Sequence, residues 1–506
     1  MKKSNQNLYS VIGASSLGTL IEWYDFYIFG SLATIISEKF FPSGNPTAAF
    51  LSTLATFAAG FIVRPFGALV FGRLGDLVGR KYTFLVTLVI MGGSTFCIGL
   101  IPGYATFKAA PVVILLLRLL QGLALGGEYG GAATYVAEHA PENRRGYFTS
   151  WIQTTATLGL FVSLLVILGC QTLLSKDDFY NWGWRIPFLL SIALVGVSII
   201  IRLKMQESPL FEKLKAEGKV SANPLKESFG HKANLKMVLL ALFGATMGQG
   251  VVWYTGQFYA QTFLLKTCNL DATQVNTWMG IALLLATPFF VVFGALSDKI
   301  GRKTIMLAGM LIALICYRPI FASLYSYADA SHKTEIAGKR LSQTTAHIDA
   351  STGDSAVIVS TMHTYTDGSV LTETQKKTFA AGTSRDKAIP QVKKSMLLGH
   401  MYGSRVVGFI FVLVLFVTMV YGPIAAFLVE LFPTHIRYTS MSLPYHIGNG
   451  VFGGLVPFIG TLMYEYSKTP ANPSGDVLAG LWYPIGIAAA CFIIGALYVS
   501  TKHQKH

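Results

Sequence analysis

Stretches of about 20 apolar residues recur along this chain with short polar turns between them, and no water-soluble fold can hide that much apolar surface. Twelve can be counted, over residues 10–37, 48–72, 82–102, 110–137, 147–174, 185–204, 236–265, 274–297, 304–327, 398–431, 438–466 and 478–500. Of the 506 residues 52% are hydrophobic and only 13% charged, where a soluble domain carries roughly 25% charge. The expected fold class is an all-α membrane protein of twelve transmembrane helices. Lys2 and Lys3 precede the first stretch as they would in a signal peptide, but the stretch is long, carries Glu22 and Asp25, and lacks a small-residue cleavage site. It reads as a retained first helix. The five cysteines are scattered with no metal-ligand spacing, so they read as packing residues and no metal is expected.

The net charge of +15 does not point to nucleic acid, because the basic residues fall in alternate loops and not on one compact surface. Lys2 and Lys3, Arg80 and Lys81, Arg144 and Arg145, the run from Arg202 to Lys236, Arg302 and Lys303, Arg437, and Lys502 with Lys505 share one side under twelve spans. That side is expected to be cytoplasmic, with both termini inside.

Two loops carry nearly the same decapeptide. Gly72-Arg-Leu-Gly-Asp-Leu-Val-Gly-Arg-Lys81 and Gly294-Ala-Leu-Ser-Asp-Lys-Ile-Gly-Arg-Lys303 agree at Gly, Leu, Asp, Gly, Arg and Lys. A second pair, Glu138-x-x-Pro141-x-x-x-Arg145 and Glu430-x-x-Pro433-x-x-x-Arg437, keeps the same frame. The first pair is offset by 222 residues (294 minus 72) and the second by 292 (430 minus 138), so the second half has gained about 70 residues. The gain falls at about residues 328–392, which are Ser/Thr-rich and hold no apolar run long enough to span. Within it, Asp367-Gly368 between partly alternating stretches signals a hairpin. This insertion is expected outside the membrane, either as a gate or flap or as a tolerated surface addition. The domains expected are a six-helix bundle over 1–205, a basic cytoplasmic linker over 206–235, and a second six-helix bundle over 236–506 that carries the insertion.

Two six-helix halves joined in this way, with G-x-L-x-D-x-x-G-R-K in corresponding loops, resemble the major facilitator superfamily over nearly the whole chain outside the insertion. More narrowly, Ile21-Glu-Trp-Tyr-Asp-Phe-Tyr27, Val63-Arg-Pro-Phe-Gly67, Arg118-Leu-Leu-Gln-Gly122, Gly126-Gly-Glu-Tyr-Gly130, Gln206-Glu-Ser-Pro209 and Glu430-Leu-Phe-Pro-Thr434 resemble its metabolite:proton symporter family. That family includes transporters for proline and betaines, α-ketoglutarate, citrate and shikimate. The resemblance implies alternating access about a site near the bilayer midplane. It also implies a multi-pass protein of a bacterial-type inner membrane, driven by the proton gradient without a cofactor. Its partners would be protons, lipid and a small carboxylate or zwitterionic solute, and it would act as a monomer.

An ionised side chain at bilayer depth costs roughly 2.5–3.5 kcal/mol even on the lenient scale, so each one needs a partner or a task. Glu22 and Asp25 lie three apart on one face of the first helix, and Arg118 lies in the antiparallel fourth. From the external helix ends Asp25 is about eleven residues deep and Arg118 about eight, a difference of roughly 5 Å, so the two are expected to meet. A carboxylate that titrates beside an arginine can couple a proton to transport, and a purely structural ion pair is the competing reading. Sugar/proton symporters of the same superfamily are similar here, matched by Tyr24-Asp25 and by Arg118 to Gly122. Glu22 either shares the proton or faces the linker side.

For the solute, the candidates are Tyr27, Arg64, Arg118 and Gln121 in the first half and Tyr254, Gln257, Tyr445, His446 and Asn449 in the second. Arginine forks suit a carboxylate and aromatic faces suit a quaternary ammonium. Arg64 precedes Pro65 and has a second reading as the anchor of a kinked helix, and Glu128 suits cavity lining and helix packing equally. The loop motifs read structurally: Gly72 permits a tight turn, Asp76 caps a helix, and Arg80 keeps the loop inside. The resemblance adds that Asp76 pairs with Arg144 or Arg145 as a conformational latch, with Asp298 and Arg302 as counterparts in the second half.

Gly448-Asn-Gly450-Val-Phe-Gly453 fits a nucleotide-binding pattern, but it lies in an apolar helix and reads as close helix packing. The chain holds neither a phosphate-binding G-x-x-x-x-G-K-[ST] loop nor a hydrolase or metalloprotease motif, so it is not expected to be an enzyme. The functions that compete are proton symport of a small organic acid or zwitterionic osmolyte and proton-driven export of amphipathic compounds.

Overall fold

The computed structural model of the protein describes residues 8–41, 45–78, 80–127, 129, 133, 136–137, 140–204, 224–348, 355–379, 391–432 and 437–499. Side chains at 72–84 and 437–438, among others within these ranges, are outside the description. Among the described residues nine helices are long and apolar enough to cross a membrane, and apolar helical segments Leu85–Leu100 and Ala110–Gly126 are shorter.

The amino-terminal helices are α1 (Leu8–Ser31), α2 (Ala33–Phe40), α3 (Pro46–Ile62), α4 (Arg64–Val78), α5 (Arg80–Leu100), α6 (Ala110–Gly126), α7 (Arg145–Leu173) and α8 (Ile186–Lys204). The carboxy-terminal helices are α9 (Lys232–Thr267), α10 (Ala272–Ile300), α11 (Arg302–Ala328), α12 (His400–Leu431), α13 (Thr439–Ser467) and α14 (Trp482–Tyr498). Within the first set α1 packs on α7, and α5 on both α6 and α8; within the second, α10 and α11 pack on α12, and α9 on α14. The sets meet where α7 lies against α10 and where α3 and α4 lie against α13.

Small residues bring the site helices together. A Cβ on Gly122 would run into the Gly60 carbonyl, so α6 touches the α3 backbone directly, which seats Arg118 among α1 and α3. The Gly448–Gly453 run packs in the same way: a Cβ on Gly450 would lie 2.9 Å from the Phe61 carbonyl oxygen. This is the close helix packing expected of it. Regular α-helical geometry fails at several points in the second set, with π-helical turns at Leu242–Thr246, Thr255–Tyr259 and Phe263–Thr267 in α9 and at His446–Gly453 in α13.

Between α11 and α12 stands a four-stranded antiparallel meander in the order β1-β2-β3-β4: β1 (Leu341–Ile348), β2 (Ser355–Thr364), β3 (Val370–Phe379) and β4 (Gln391–Leu397). The Asp367-Gly368 turn joins β2 to β3 with Thr364 opposite Val370, and Gly368 takes φ +79°, a left-handed conformation that glycine adopts without strain. Asp367 holds the turn: its carboxylate accepts from the Ser369 amide at 2.8 Å and the Tyr402 hydroxyl at 3.0 Å, and it pairs with Lys333. Partial burial pushes this carboxyl up, but the bonds from Lys333, Ser369 and Tyr402 outweigh it and bring it down to about 2 from an ordinary 3.8. A folded-state value below the unfolded one stabilises above about pH 4, and that contribution is lost as pH falls through about 2. Asp367→Asn is therefore expected to speed hydrogen exchange of the β2–β3 turn amides about tenfold at neutral pH, equivalent to roughly 1.4 kcal/mol for charged hydrogen bonds. The gap from the parent protein should close as both are acidified toward pH 2. Equal exchange at neutral pH would refute the role given to Asp367.

Candidate functional site

Four helices of the first set, α1, α3, α4 and α6, deliver the amino-terminal wall. The α3 helix stops at Val63, and Pro65 opens α4 one residue inside its start, where a missing amide is harmless. This break turns Arg64 inward, where it is 1% exposed. Its guanidinium carbon lies 4.2 Å from the Phe61 ring, 4.5 Å from Phe26 and 5.2 Å from Trp23. Its Nε and Nη2 have no hydrogen-bond acceptor. A buried cation braced by ring faces with donor hydrogens unfilled is set to receive an anion. The kink and the inward cation, offered by the sequence as alternatives, occur together.

Arg118 has a different surrounding. Its Nη1 donates to Gln121 Oε1 at 2.7 Å and to the Phe26 carbonyl at 3.2 Å, and its Nη2 donates to the Phe57 carbonyl at 3.4 Å. Gln121 in turn donates to Thr95 at 2.6 Å. Arg118 thus ties α1, α3 and α6 together, with its fork largely committed to the scaffold.

The expected meeting of Asp25 with Arg118 does not occur. The two form no ion pair, and both Asp25 oxygens are buried without a hydrogen-bond partner. The cause is helical phase: Phe26 turns its carbonyl and ring to Arg118, and one residue back along an α-helix is a turn of about 100°. Asp25 accordingly points toward α5 and α8, where a Cβ on Gly92 would lie 3.3 Å from its Oδ2 and touch Val195. Next to it Tyr24 donates to the Pro187 carbonyl at 2.8 Å, fixing α1 to α8. Glu22 is 1% exposed in the same helix.

The carboxy-terminal wall comes from α9, α12 and α13. Trp253 stacks on Tyr27 with ring centroids 5.5 Å apart, and Tyr27 stacks on Trp23 at 5.0 Å. Tyr254 meets Phe61 edge-on at 5.0 Å. Gln257 donates to Thr157 at 3.3 Å, Tyr421 and Tyr445 share a hydrogen bond of 2.7 Å, and Gln249 donates to Asn449 at 3.3 Å. Tyr27, Arg118, Gln121, Tyr254, Gln257, Tyr445, His446 and Asn449, all expected as lining, are 3% exposed or less. Near Arg64 the hydroxyls of Tyr27 and Tyr254 lack hydrogen-bond partners, and Oε1 of Gln257 is a further unpartnered buried atom on α9. Buried polar atoms normally find partners, so these unfilled groups leave hydrogen-bonding capacity inside the helical frame. Glu128, the remaining lining candidate, lies outside the described residues. Among the described residues no group of three His, Cys, Asp or Glu could hold a metal.

Trp23, Phe26, Phe61, Trp253 and Tyr421 complete the aromatic surround, although none of them was among the lining residues expected from the sequence. Aromatic residues in an apolar helix look the same whether they face a solute or a neighbouring helix. The one available hint was that Trp23 and Phe26 flank Glu22 and Asp25 in the first helix.

Both ends of the site are shut. At one end Asp298 caps α7, accepting from the Gly146 and Tyr147 amides at 2.8 and 2.9 Å. Arg302 bridges Asp298 at 2.8 Å and Glu430 at 2.9 Å, which locks α10, α11 and α12 to that cap. Closer to the site, the Tyr129 and Tyr445 rings stack 3.5 Å apart across the two sets. Arg145 pairs with Glu142 at 3.5 Å, and Arg144 lies 5.0 Å over the Tyr147 ring. The side chains of Asp76 and Arg80 fall outside the description, as does the burial of Gly72, so of the two loop motifs only the contacts of Asp298 and Arg302 are described. At the opposite end Phe258 of α9 packs on Phe57 at 5.3 Å, and Phe458 of α13 covers the cluster of Ala33, Phe50 and Leu54.

Known proteins share this architecture. The xylose transporter XylE from E. coli, in a partially occluded inward open conformation, superposes with a TM-score of 0.62 at 15% identity over 99% of each chain. The α-ketoglutarate permease of Escherichia coli is 37% identical over 322 residues, which are 63% of this chain and 73% of the permease. The proline/betaine transporter of Salmonella typhimurium is 34% identical over 333 residues, 63% of this chain and 65% of that protein. The citrate-proton symporter of Klebsiella pneumoniae is 29% identical over 489 residues, 95% of this chain and 89% of the symporter. The family described as sugar (and other) transporter matches residues 11–338, more than half of the chain. With this match and the helical frame described above, which it shares with a solved major facilitator superfamily proton:xylose symporter, the chain belongs to the sugar (and other) transporter family, a multi-pass membrane transporter.

Proposed function

We propose that the protein is a secondary active transporter that carries a small organic acid or zwitterionic osmolyte together with protons by alternating access. The observation that carries this reading is Arg64: a buried guanidinium with unfilled hydrogen bonds inside an aromatic box. A solute carboxylate fits the fork, and the stacked faces of Trp23, Tyr27 and Trp253 suit an apolar or cationic remainder. Export of amphipathic compounds would have called for an apolar cavity with no arginine within reach. Closure at both ends fits an occluded stage, from which release of the Asp298 clasp opens one face and separation of Phe57 from Phe258 opens the other. Adding α1, α5 and α6 to the nine long apolar helices supports a scheme of twelve crossings with both termini cytoplasmic, in a bacterial inner membrane. No cofactor takes part in this scheme; the proton gradient supplies the work.

Asp25 is the proton carrier in this scheme. An unpartnered carboxyl at that depth holds its proton while the site is occluded, since the ionised form would be left without water or a counter-charge. Rearrangement of α1 against α5 and α8 then hydrates it and lets the proton leave.

Purified protein in liposomes, given an imposed pH gradient, tests the whole reading against a panel of keto acids, tricarboxylates, proline and betaines. Accumulation of at least one carboxylate-bearing member, abolished by a protonophore, is the expected result. Uptake that ignores the gradient for every member would overturn proton symport.

A further inference from the structure

The family match ends at residue 338, and the meander begins at Leu341. A sheet added to a transporter frame could hang free, but this one, beyond the bond from Tyr402 of α12 to its Asp367 turn, is built into the frame at two places along and beside β4. Met396 of β4 donates to the Asn269 carbonyl at 2.7 Å and accepts from the Asp271 amide at 2.9 Å. Two residues on, Leu398 and Gln274 exchange a pair of bonds at 2.9 and 3.0 Å. Two hydrogen bonds therefore hold β4 to the turn between α9 and α10, where Asn269 sits at φ +52°, and two more hold the residue after β4 to the first turn of α10. The second attachment crosses to the other set of helices: Lys393 of β4 reaches Glu38 of α2 at 3.2 Å.

The two attachments differ in strength. Backbone bonds in a turn hold position, so β4 and the end of α9 move as one piece, and α9 also carries Trp253, Tyr254, Gln257 and Phe258. The Lys393–Glu38 pair is exposed, at 70% and 34% for the two side chains, and pairs of this kind form and break easily. Beside it the two sets meet through Lys266 of α9, 4.3 Å over the Phe50 ring of α3, and through Phe458 on Phe50 and Leu54. A stiff strut with one firm and one labile foot, placed across a seam, biases the seam toward closure.

We propose that the meander is a strap across the gate at its own end of the molecule, with Lys393–Glu38 as its release. The proposal rests on the alternating-access reading, because a seam that never opens needs no release. Its test reads seam opening without any solute. Leu54→Cys, buried in the seam, is labelled from the meander side with a membrane-impermeant maleimide, and labelling of the parent cysteines is subtracted. Glu38→Lys and Lys393→Glu should each raise the labelling rate about two- to fivefold, the scale of an exposed ion pair. The double exchange E38K/K393E restores the pair with its charges reversed and should return labelling to the parent rate. A disulfide in E38C/K393C should suppress labelling until reductant is added. Unchanged labelling in both single variants, or a double exchange that stays fast, would overturn the strap. If labelling responds as expected in a protein that accumulates no solute under a pH gradient, the strap stands and the symport reading falls.

Discussion

Arg64→Gln is expected to weaken binding of a carboxylate-bearing solute by about two orders of magnitude, roughly 3 kcal/mol, while leaving the protein folded. The size follows from burial: at 1% exposure the arginine and a bound carboxylate are both withdrawn from water, and removing one leaves the other stranded. Arg64→Lys should recover part of the loss, since it keeps the charge but not the two-pronged geometry. Arg118→Gln is the contrasting case. Because its guanidinium bonds Phe26, Phe57 and Gln121, its removal should lower thermal stability and yield before it alters affinity in the protein that remains. Calorimetric titration of the purified variants separates the two effects. Binding by Arg64→Gln within threefold of the parent would take the solute away from this arginine.

Asp25→Asn should abolish uphill accumulation and the accompanying proton uptake while sparing exchange of labelled for unlabelled solute. Asparagine has nearly the shape of the protonated acid, so the occluded packing against Gly92 and Val195 is kept, and only the ability to release a proton is lost. Counterflow in liposomes together with a pH-sensitive dye inside them checks both halves of the statement. A variant that still concentrates solute under a pH gradient would show that the proton travels by another group.

The different fates of these two residues show what could be read from the chain beforehand. Both were conspicuous as rare charges in apolar helices, and the sequence placed them at similar depth along the membrane normal. Depth fixes one coordinate only. The phase of α1 decides that Phe26 and not Asp25 faces Arg118, and the polar residues of α1 do not show which neighbouring helix their face meets. Arg64 stood out because of Pro65, yet its cage of Trp23, Phe26 and Phe61 could not be told from ordinary core. The repeated decapeptide led to Asp298 and Arg302 but not to Glu430 as their third member, since that contact joins residues 128 apart. In the insertion, Asp367-Gly368 is an unmistakable turn, so β2 and β3 were legible. The outer strands were not: β1 reads Leu-Ser-Gln-Thr-Thr-Ala-His-Ile, with too little alternation to announce itself.

The wide turns of α9 have a mechanical meaning for the gates. A π-helical turn is held by i→i+5 bonds and accommodates about one residue more than an α-helical turn. Exchanging one such turn for ordinary α-helix breaks only the few bonds inside it, yet it swivels everything beyond by about 100°. In α9 the turn Thr255–Tyr259 directly follows Trp253 and Tyr254 and contains Gln257 and Phe258. A rotary joint is therefore built into the wall facing Arg64, and local rewinding there would carry rings away from a held molecule without the whole helix having to tilt.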